Sequence, residues 1–340
     1  MTVAATSDID RRQSAAVALF GLWMVTGLFL DGWSHNQNKP ETFFTPWHGV
    51  LYSGFGAAVL WFAWDGQRSR RAGGVPAPPV GGWITGFGMA VFIAGALGDF
   101  GWHAAFGVEA DIAALLSPTH QLLMTGGVLM VTGPVRAAWA SREPRALPLS
   151  QFWPVMVSVG LAIAVVCFFL MYLSPFRANN IEQPRPVGPE FDFLLEQAQI
   201  HHIASVLVTT VLLVGGLLLV VRRWQPPFGT FTVMFGAVAV GMSGLDTFER
   251  LPLALCGLAG GVVADVLVTR LRPGPDAVRS ARVVAGVVPV ALWLPYFVVF
   301  KVAYDLPWNV HMWTGTVFLA AVGGLLLSAL AYPPETQPAR

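Results

Sequence analysis

What most constrains this chain is that apolar stretches follow one another along nearly its whole length. Each is long enough for a helix to cross a hydrocarbon layer roughly 30 Å thick. Ten can be read, at 14–34, 46–64, 82–103, 118–139, 152–173, 199–221, 228–246, 252–271, 283–304 and 308–332. Pro and Gly interrupt many of them, which membrane helices tolerate where neighbours re-satisfy the backbone. Hydrophobic residues make up 55% of the 340 and charged residues only 11%, a balance foreign to soluble globular proteins. The expected fold is therefore all-α: a polytopic integral membrane bundle of ten transmembrane helices arranged as five outward-facing hairpins.

The basic residues orient this bundle. With a cytoplasmic N-terminus, only Lys39, Arg177, Arg185, Arg250 and Lys301 of the 20 Lys and Arg fall in outer segments. The positive-inside rule then gives N-in and C-in, in a bacterial cell (inner) membrane whose outer side is periplasmic or extracellular. The divisions expected are a cytoplasmic leader at 1–13, a transmembrane domain at 14–332 and a cytoplasmic tail at 333–340. The run after Arg11 and Arg12 is long enough to span, so it reads as a helix of the mature protein and not as a cleavable signal. The outer loop 174–198 is the longest non-apolar stretch. Its acidic second half is expected to form a short interfacial helix with Phe191, Phe193, Leu194 and Leu195 facing lipid or the bundle.

Polar residues inside such segments are costly and need a reason. Asp31, His35 and His48 have the spacing D-x3-H-x12-H, and Asp99, His103 and His120 repeat it with a longer final gap. The surrounding text repeats as well: LDGWSH precedes TPWHGVLYSG, and GDFGWH precedes SPTHQLLMTG. Each unit reads as a hairpin whose rising helix ends in D-x3-H and whose descending helix begins with [TS]-P-x-H, proline being at home in a first turn. Residues four apart on a helix share a face, so each Asp and the following His can present an oxygen and a nitrogen to one centre. The His of the next helix completes a His2Asp set. Such mixed donors suit a borderline transition metal: copper first, with zinc or iron as alternatives. A metal-free account stays open, with the Asp–His pairs as hydrogen-bonded helix ends or with the carboxylate orienting a ligand from behind.

All 7 histidines map to the outer face in this topology. His201 and His202 are further candidate ligands. They point about a hundred degrees apart on a helix, so only one is expected to face the cluster. His311, in a third echo of the descending motif (PWNVH), and the charged turn containing Asp246, Glu249 and Arg250 are possible additions. An Asp246–Arg250 ion pair is the simpler account of that turn. Asp265, toward the inner end of its segment, is expected to pair with Arg270. Cys167 and Cys256 lie within predicted helices and read as small buried hydrophobes.

The D-x3-H-x12-H spacing at Asp31, His35 and His48 resembles the copper-ligand motif in the C subunit of particulate methane and ammonia monooxygenases. The resemblance covers one hairpin. It implies an Asp and two His from adjacent helices around a copper near the outer side of the membrane, with Asp31, His35 and His48 as ligands. Asp99, His103 and His120 match only its D-x3-H portion.

The sequence carries no phosphate-cradling glycine loop, nucleotide fingerprint, CxxCH or G-x-S-x-G element, and no basic amphipathic segment. Nucleotides and nucleic acid are therefore not expected as partners. The lipid bilayer is, with a homo-oligomer or other membrane subunits left open. Three functions fit: a copper-dependent membrane oxidoreductase of the monooxygenase type acting on a small apolar substrate, a metal transporter or metal-loading accessory protein, and a metal-free proton or pH sensor built on histidine.

Overall fold

The structure is a computed structural model describing residues 3–37, 45–71, 82–107, 111–141, 143–178, 180 and 191–333. It contains twelve α-helices in those residues: α1 (Val3–Asn36), α2 (Pro46–Arg71), α3 (Gly82–Phe106), α4 (Asp111–Leu116), α5 (Pro118–Val131), α6 (Gly133–Ala140), α7 (Leu149–Phe169), α8 (Phe191–Arg223), α9 (Thr230–Leu245), α10 (Leu251–Leu271), α11 (Val278–Ala303) and α12 (Val310–Ala331). A 3-10 turn spans Met171–Leu173. Among the described residues there is no named strand, as the apolar runs require.

Each of the ten predicted segments falls on a helix or a helix pair, but they are not equally fit to cross a membrane. Seven helices are long and apolar enough: α1 from Arg11, α3, α7, α8 from Asp192, α10, α11 and α12. The segment 118–139 is a bent pair that passes only as a unit, α5 and α6 meeting at 41°. Pro134 causes the bend, because its ring nitrogen cannot donate to the carbonyl one turn earlier. Arg136 donates back to Leu129 O at 2.8 Å and Thr85 Oγ1 at 3.0 Å, satisfying polar groups around the break. α9 is only 16 residues long, and α2 is too diluted with Trp, Gly and His to pass the same test. Of the ten expected spans, seven of the helices among the described residues are long and apolar enough by this measure, or eight if the bent pair is one span.

α1 runs without interruption from Val3, so residues 3–13 are helical and continue into the apolar stretch that starts at Arg11. One further expectation changes. The acidic half of the outer loop forms the first turns of the 33-residue α8 instead of an independent interfacial helix. No Pro or Gly stands between Phe191 and Gly215 to stop that helix. Phe193 and Leu194 are exposed. Residues 181–190, with Arg185 and Glu190, lie outside the described residues, as do Lys39 and Glu109.

The chain forms two compact units, Met1–Glu143 with Leu149–Tyr172, and Pro144–Pro148 with Leu173–Arg340. In the first, α1 pairs with α2 and α3 with α5, and α7 packs against α1 and α5. Phe92, Phe152, Phe168 and Met130 fill its core. In the second, α9, α10, α11 and α12 pack in succession, with α8 against α12 and α11, around Trp224, Phe231, Phe235, Trp293 and Phe297.

Glycines set the spacing of the two N-terminal hairpins. A Cβ at Gly54 would stand 2.7 Å from Met24 N and 3.0 Å from Met24 Cα, and one at Gly27 would stand 2.5 Å from Leu51 Cα. In the second hairpin, Gly126 meets Phe92 N at 2.6 Å and Gly95 meets Leu123 N at 2.9 Å. The four contacts are equivalent. Gly27 and Gly95 each stand four residues before the Asp, and Gly54 and Gly126 each six after the descending His. Small residues let membrane helices approach closely, and here they fix how far apart the helices carrying Asp and His sit.

Candidate metal centres

The descending helix of each hairpin starts from a hydroxyl cap. Ser117 Oγ accepts from His120 N at 3.4 Å, with Pro118 in the first helical position. Thr45 Oγ1 accepts in the same way from His48 N at 3.2 Å. A Ser or Thr cap satisfies a donor that the first turn leaves unpaired, and it fixes His at the third helical position. The [TS]-P-x-H text is therefore a capping motif that aims an imidazole. These hydroxyls escaped the sequence reading, which weighed only the proline, although Ser or Thr before Pro is a start signal in its own right.

In the first centre Asp31 sits between two imidazoles. Its Oδ2 is 3.4 Å from His35 Nε2 and its Oδ1 is 3.3 Å from His48 Nε2. The two rings are 6.4 Å apart at 64°. His35 is the most open of the three, with 42% of its side chain exposed against 14% for Asp31. The second centre repeats the design in a more enclosed setting. Asp99 is buried, its Oδ2 is 3.2 Å from His103 Nε2 and its Oδ1 is 3.4 Å from His120 Nδ1. The rings are 6.0 Å apart at 66°. The two hairpins differ in which nitrogen of the descending His turns inward: Nε2 for His48, Nδ1 for His120.

Supporting groups surround the second centre. Thr119 Oγ1 donates to Asp99 Oδ1 at 2.9 Å, while Ser117 Oγ, 2.6 Å from His120 Nδ1, engages the same nitrogen that faces Asp99. Gly107 follows the end of α3 with a φ of +83°, open to glycine, which turns its carbonyl back to the last turn of the helix. Gly107 O lies 3.2 Å from His103 Nδ1. A carbonyl can only accept, so Nδ1 carries the proton and donates it. Nε2, on the other side of the ring, faces the carboxylate. A neutral His103 therefore turns a lone pair toward Asp99, an arrangement that wants a cation between them. An imidazole ligand commonly donates its other N–H to a backbone carbonyl in this way.

The donor spacing suits a small transition ion. Ligands at about 2.0–2.2 Å around one centre stand a few ångströms apart, and here each imidazole nitrogen lies 3.2 to 3.4 Å from one carboxylate oxygen, the two nitrogens of a group meeting different oxygens. Within each group of three, one donor atom from each side chain can be chosen so that all lie within 4.8 Å of one another. Among the described residues these are the two groups of three His, Cys, Asp or Glu side chains assembled closely enough to hold an ion.

The other predicted site residues join neither group. His202 is buried in the second unit, its Nε2 3.2 Å from Tyr296 Oη, with Phe297, Phe300 and Trp308 around the ring. Tyr296 donates its one proton to Pro175 O at 2.6 Å, so His202 Nε2 is the donor toward the phenol. His201 is half-buried on another face of α8, as the angular offset required. His311 is exposed, one position nearer the helix start than His48 and His120, because Asn309 caps α12 and accepts from Met312 N. Glu249 is exposed.

Asp246 is engaged with Arg177 of the outer segment and not with Arg250 alone in its own turn. The guanidinium donates at 2.6 Å and both side chains are nearly buried. Arg250 lies over the rings of Phe300 and Tyr304. Asp265 turns to α9 and not toward Arg270, accepting from Phe231 N at 3.0 Å, Thr232 N at 2.8 Å and Thr232 Oγ1 at 2.7 Å. It satisfies the start of that helix from across the helix pair. Cys167 and Cys256 are free and buried.

No family model, no curated protein and no solved structure matches this chain.

Proposed function

We propose that this protein is a membrane metalloprotein that holds a transition metal in the His2Asp groups of its two N-terminal hairpins. The observation that carries this reading is the pair of contacts on His103. Its Nδ1 proton is committed to Gly107 O, and its Nε2 stands 3.2 Å from Asp99. A divalent ion there would take both lone pairs and offset a carboxylate that is expensive to bury alone.

Copper is the leading ion, with zinc and iron as alternatives, since imidazole and carboxylate accept all three. Two imidazoles and one carboxylate leave a coordination position open, and copper there would supply activation of dioxygen against a small apolar substrate arriving from the lipid. The site would face the periplasmic or extracellular side. The resemblance of Asp31, His35 and His48 to the copper motif of the monooxygenase subunit supports the same reading. A transport role draws less support. Asp265 is occupied as a helix cap and Asp246 is paired with Arg177, so neither carboxylate is offered to a passing ion.

Elemental analysis of the detergent-purified protein tests the proposal. Wild type should retain copper, zinc or iron through size exclusion, and His35→Ala/His48→Ala and His103→Ala/His120→Ala should each retain less. If wild type holds none after loading and washing, the metal reading fails. The same geometry then belongs to an imidazolium–carboxylate pair, which is the proton-sensing alternative.

A further inference from the structure

The two N-terminal hairpins repeat one design, so the residues beside the ligands that differ between them mark how the centres differ. Aligned on their Asp and His residues, Leu30, Trp33 and Trp47 of the first hairpin stand opposite Gly98, Gly101 and Thr119 of the second. In the first, Trp33 and Trp47 meet edge-on with ring centroids 5.4 Å apart. In the second, a glycine and a hydroxyl take the place of those two rings. A Cβ at Gly98 would stand 3.2 Å from Thr119 Cγ2, tighter than an ordinary contact. The glycine at 98 therefore leaves the room in which Thr119 lies against α3.

Thr119 is buried, and its Oγ1 donates to Asp99 Oδ1 at 2.9 Å. Asp99 Oδ2 faces His103 Nε2 at 3.2 Å. The carboxylate is thus held in one rotation, with one oxygen anchored and the other turned to an imidazole. His103 is itself held through Gly107 O. In the first centre the residue that matches Thr119 is Trp47, which lies against Trp33 instead. The imidazole of the rising helix is 42% exposed there, against 25% in the second centre.

We infer that the two centres are unequal: the second retains its ion, the first exchanges it, and Thr119 is the positioning residue that sets them apart. This rests on the metal reading above and adds to it an order of affinity. A carboxylate and an imidazole fixed before an ion arrives lose less freedom in binding it. A hydrogen bond from behind a ligating carboxylate is worth about 10–100-fold in metal affinity. Ser117 completes the arrangement. Its Oγ lies 2.6 Å from His120 Nδ1 and 3.3 Å from Thr119 Oγ1, and its single proton serves one of them at a time. When Nδ1 gives its lone pair to an ion, that proton passes to Thr119, whose own proton is already committed to Asp99.

The test uses full-length protein in detergent, with copper(II) chloride as the probe and EDTA as the competitor. Wild type loaded with two ions per chain should keep one through a wash that removes the other. Spin-resonance spectra of His103→Ala/His120→Ala and His35→Ala/His48→Ala give the signatures of the first and second centres alone, and the retained ion should carry that of the second. In the His35→Ala/His48→Ala background, Thr119→Val should weaken copper binding about 10–100-fold. Thr119→Ser should restore it, with melting by circular dichroism unchanged. In the His103→Ala/His120→Ala background, Thr119→Val should leave binding at the first centre as it was. Retention by the first centre, equal loss from both, wild-type affinity in Thr119→Val, or a loss that Thr119→Ser fails to restore would overturn the inference while the metal reading stands. Copper binding at neither centre would remove the metal reading, and this inference with it.

Discussion

Gly54 and Gly56 lie one turn apart or less on α2, yet they should respond oppositely to the same substitution. A Cβ built on Gly54 would stand 2.7 Å from Met24 N, 3.0 Å from Met24 Cα and 3.1 Å from Trp23 C. All three are backbone atoms of α1, so no side chain can rotate away. Carbon atoms prefer about 3.5–4.0 Å, and the helices must therefore part by roughly 0.5–1 Å at that level. Overpacking of this kind costs about 1–3 kcal/mol. Gly56 has nothing within 4 Å of its Cβ position, so alanine there carries no clash and gains up to about 1 kcal/mol of helix propensity. Gly54→Ala should therefore melt earlier than wild type in detergent, and Gly56→Ala at the same temperature or later. The separation propagates to the site, because His48 sits less than two turns from Gly54 and must stay 3.3 Å from Asp31. Metal retention at the first centre should fall in Gly54→Ala and hold in Gly56→Ala. Equal melting and equal metal content in the two variants would refute the argument that this glycine contact sets the ligand spacing.

Two predictions concern the second unit. Arg177→Ala leaves Asp246 buried without its guanidinium and should destabilise by about 3–5 kcal/mol. Arg177→Leu/Asp246→Leu, which removes both charges, should cost less than Arg177→Ala alone, and denaturation in detergent reads the difference. Asp265→Ala removes three hydrogen bonds from the start of α9 and should cost about 0.5–2 kcal/mol as a lost cap. Hydrogen exchange should quicken first at Phe231 and Thr232, and unchanged exchange there would show that the cap does not hold α9.

Much of the candidate site was legible because its determinants are local. D-x3-H puts two donors one turn apart on any helix, so Asp31 with His35 and Asp99 with His103 follow from spacing alone. The third ligand of each group followed from the repeated text, which marked His48 and His120 as equivalents. The partners of charged residues were less legible. Asp246 and Asp265 each had a basic residue four or five positions away, Arg250 and Arg270, and a local pairing was the natural reading. Each instead serves a segment distant in sequence, Asp246 reaching Arg177 and Asp265 reaching Thr232. The pattern around His202 likewise gave no hint of the aromatic enclosure formed by α11 and Trp308.

The sequence by itself determined that the chain is helical and apolar enough for a membrane, since runs of this composition must pair their backbone groups internally. It also determined which residues repeat, and hence the two Asp–His–His sets. Only the tertiary structure decided how those sets are finished. Gly27, Gly54, Gly95 and Gly126 bring the helices together, Thr45 and Ser117 aim the descending histidines, and Gly107 fixes the proton of His103. It also decided that His201, His202, His311, Asp246 and Glu249 stand outside them. The physical reason is reach: helical periodicity sets neighbours three or four residues apart, while a ligand group is closed by contacts between helices that no local spacing encodes.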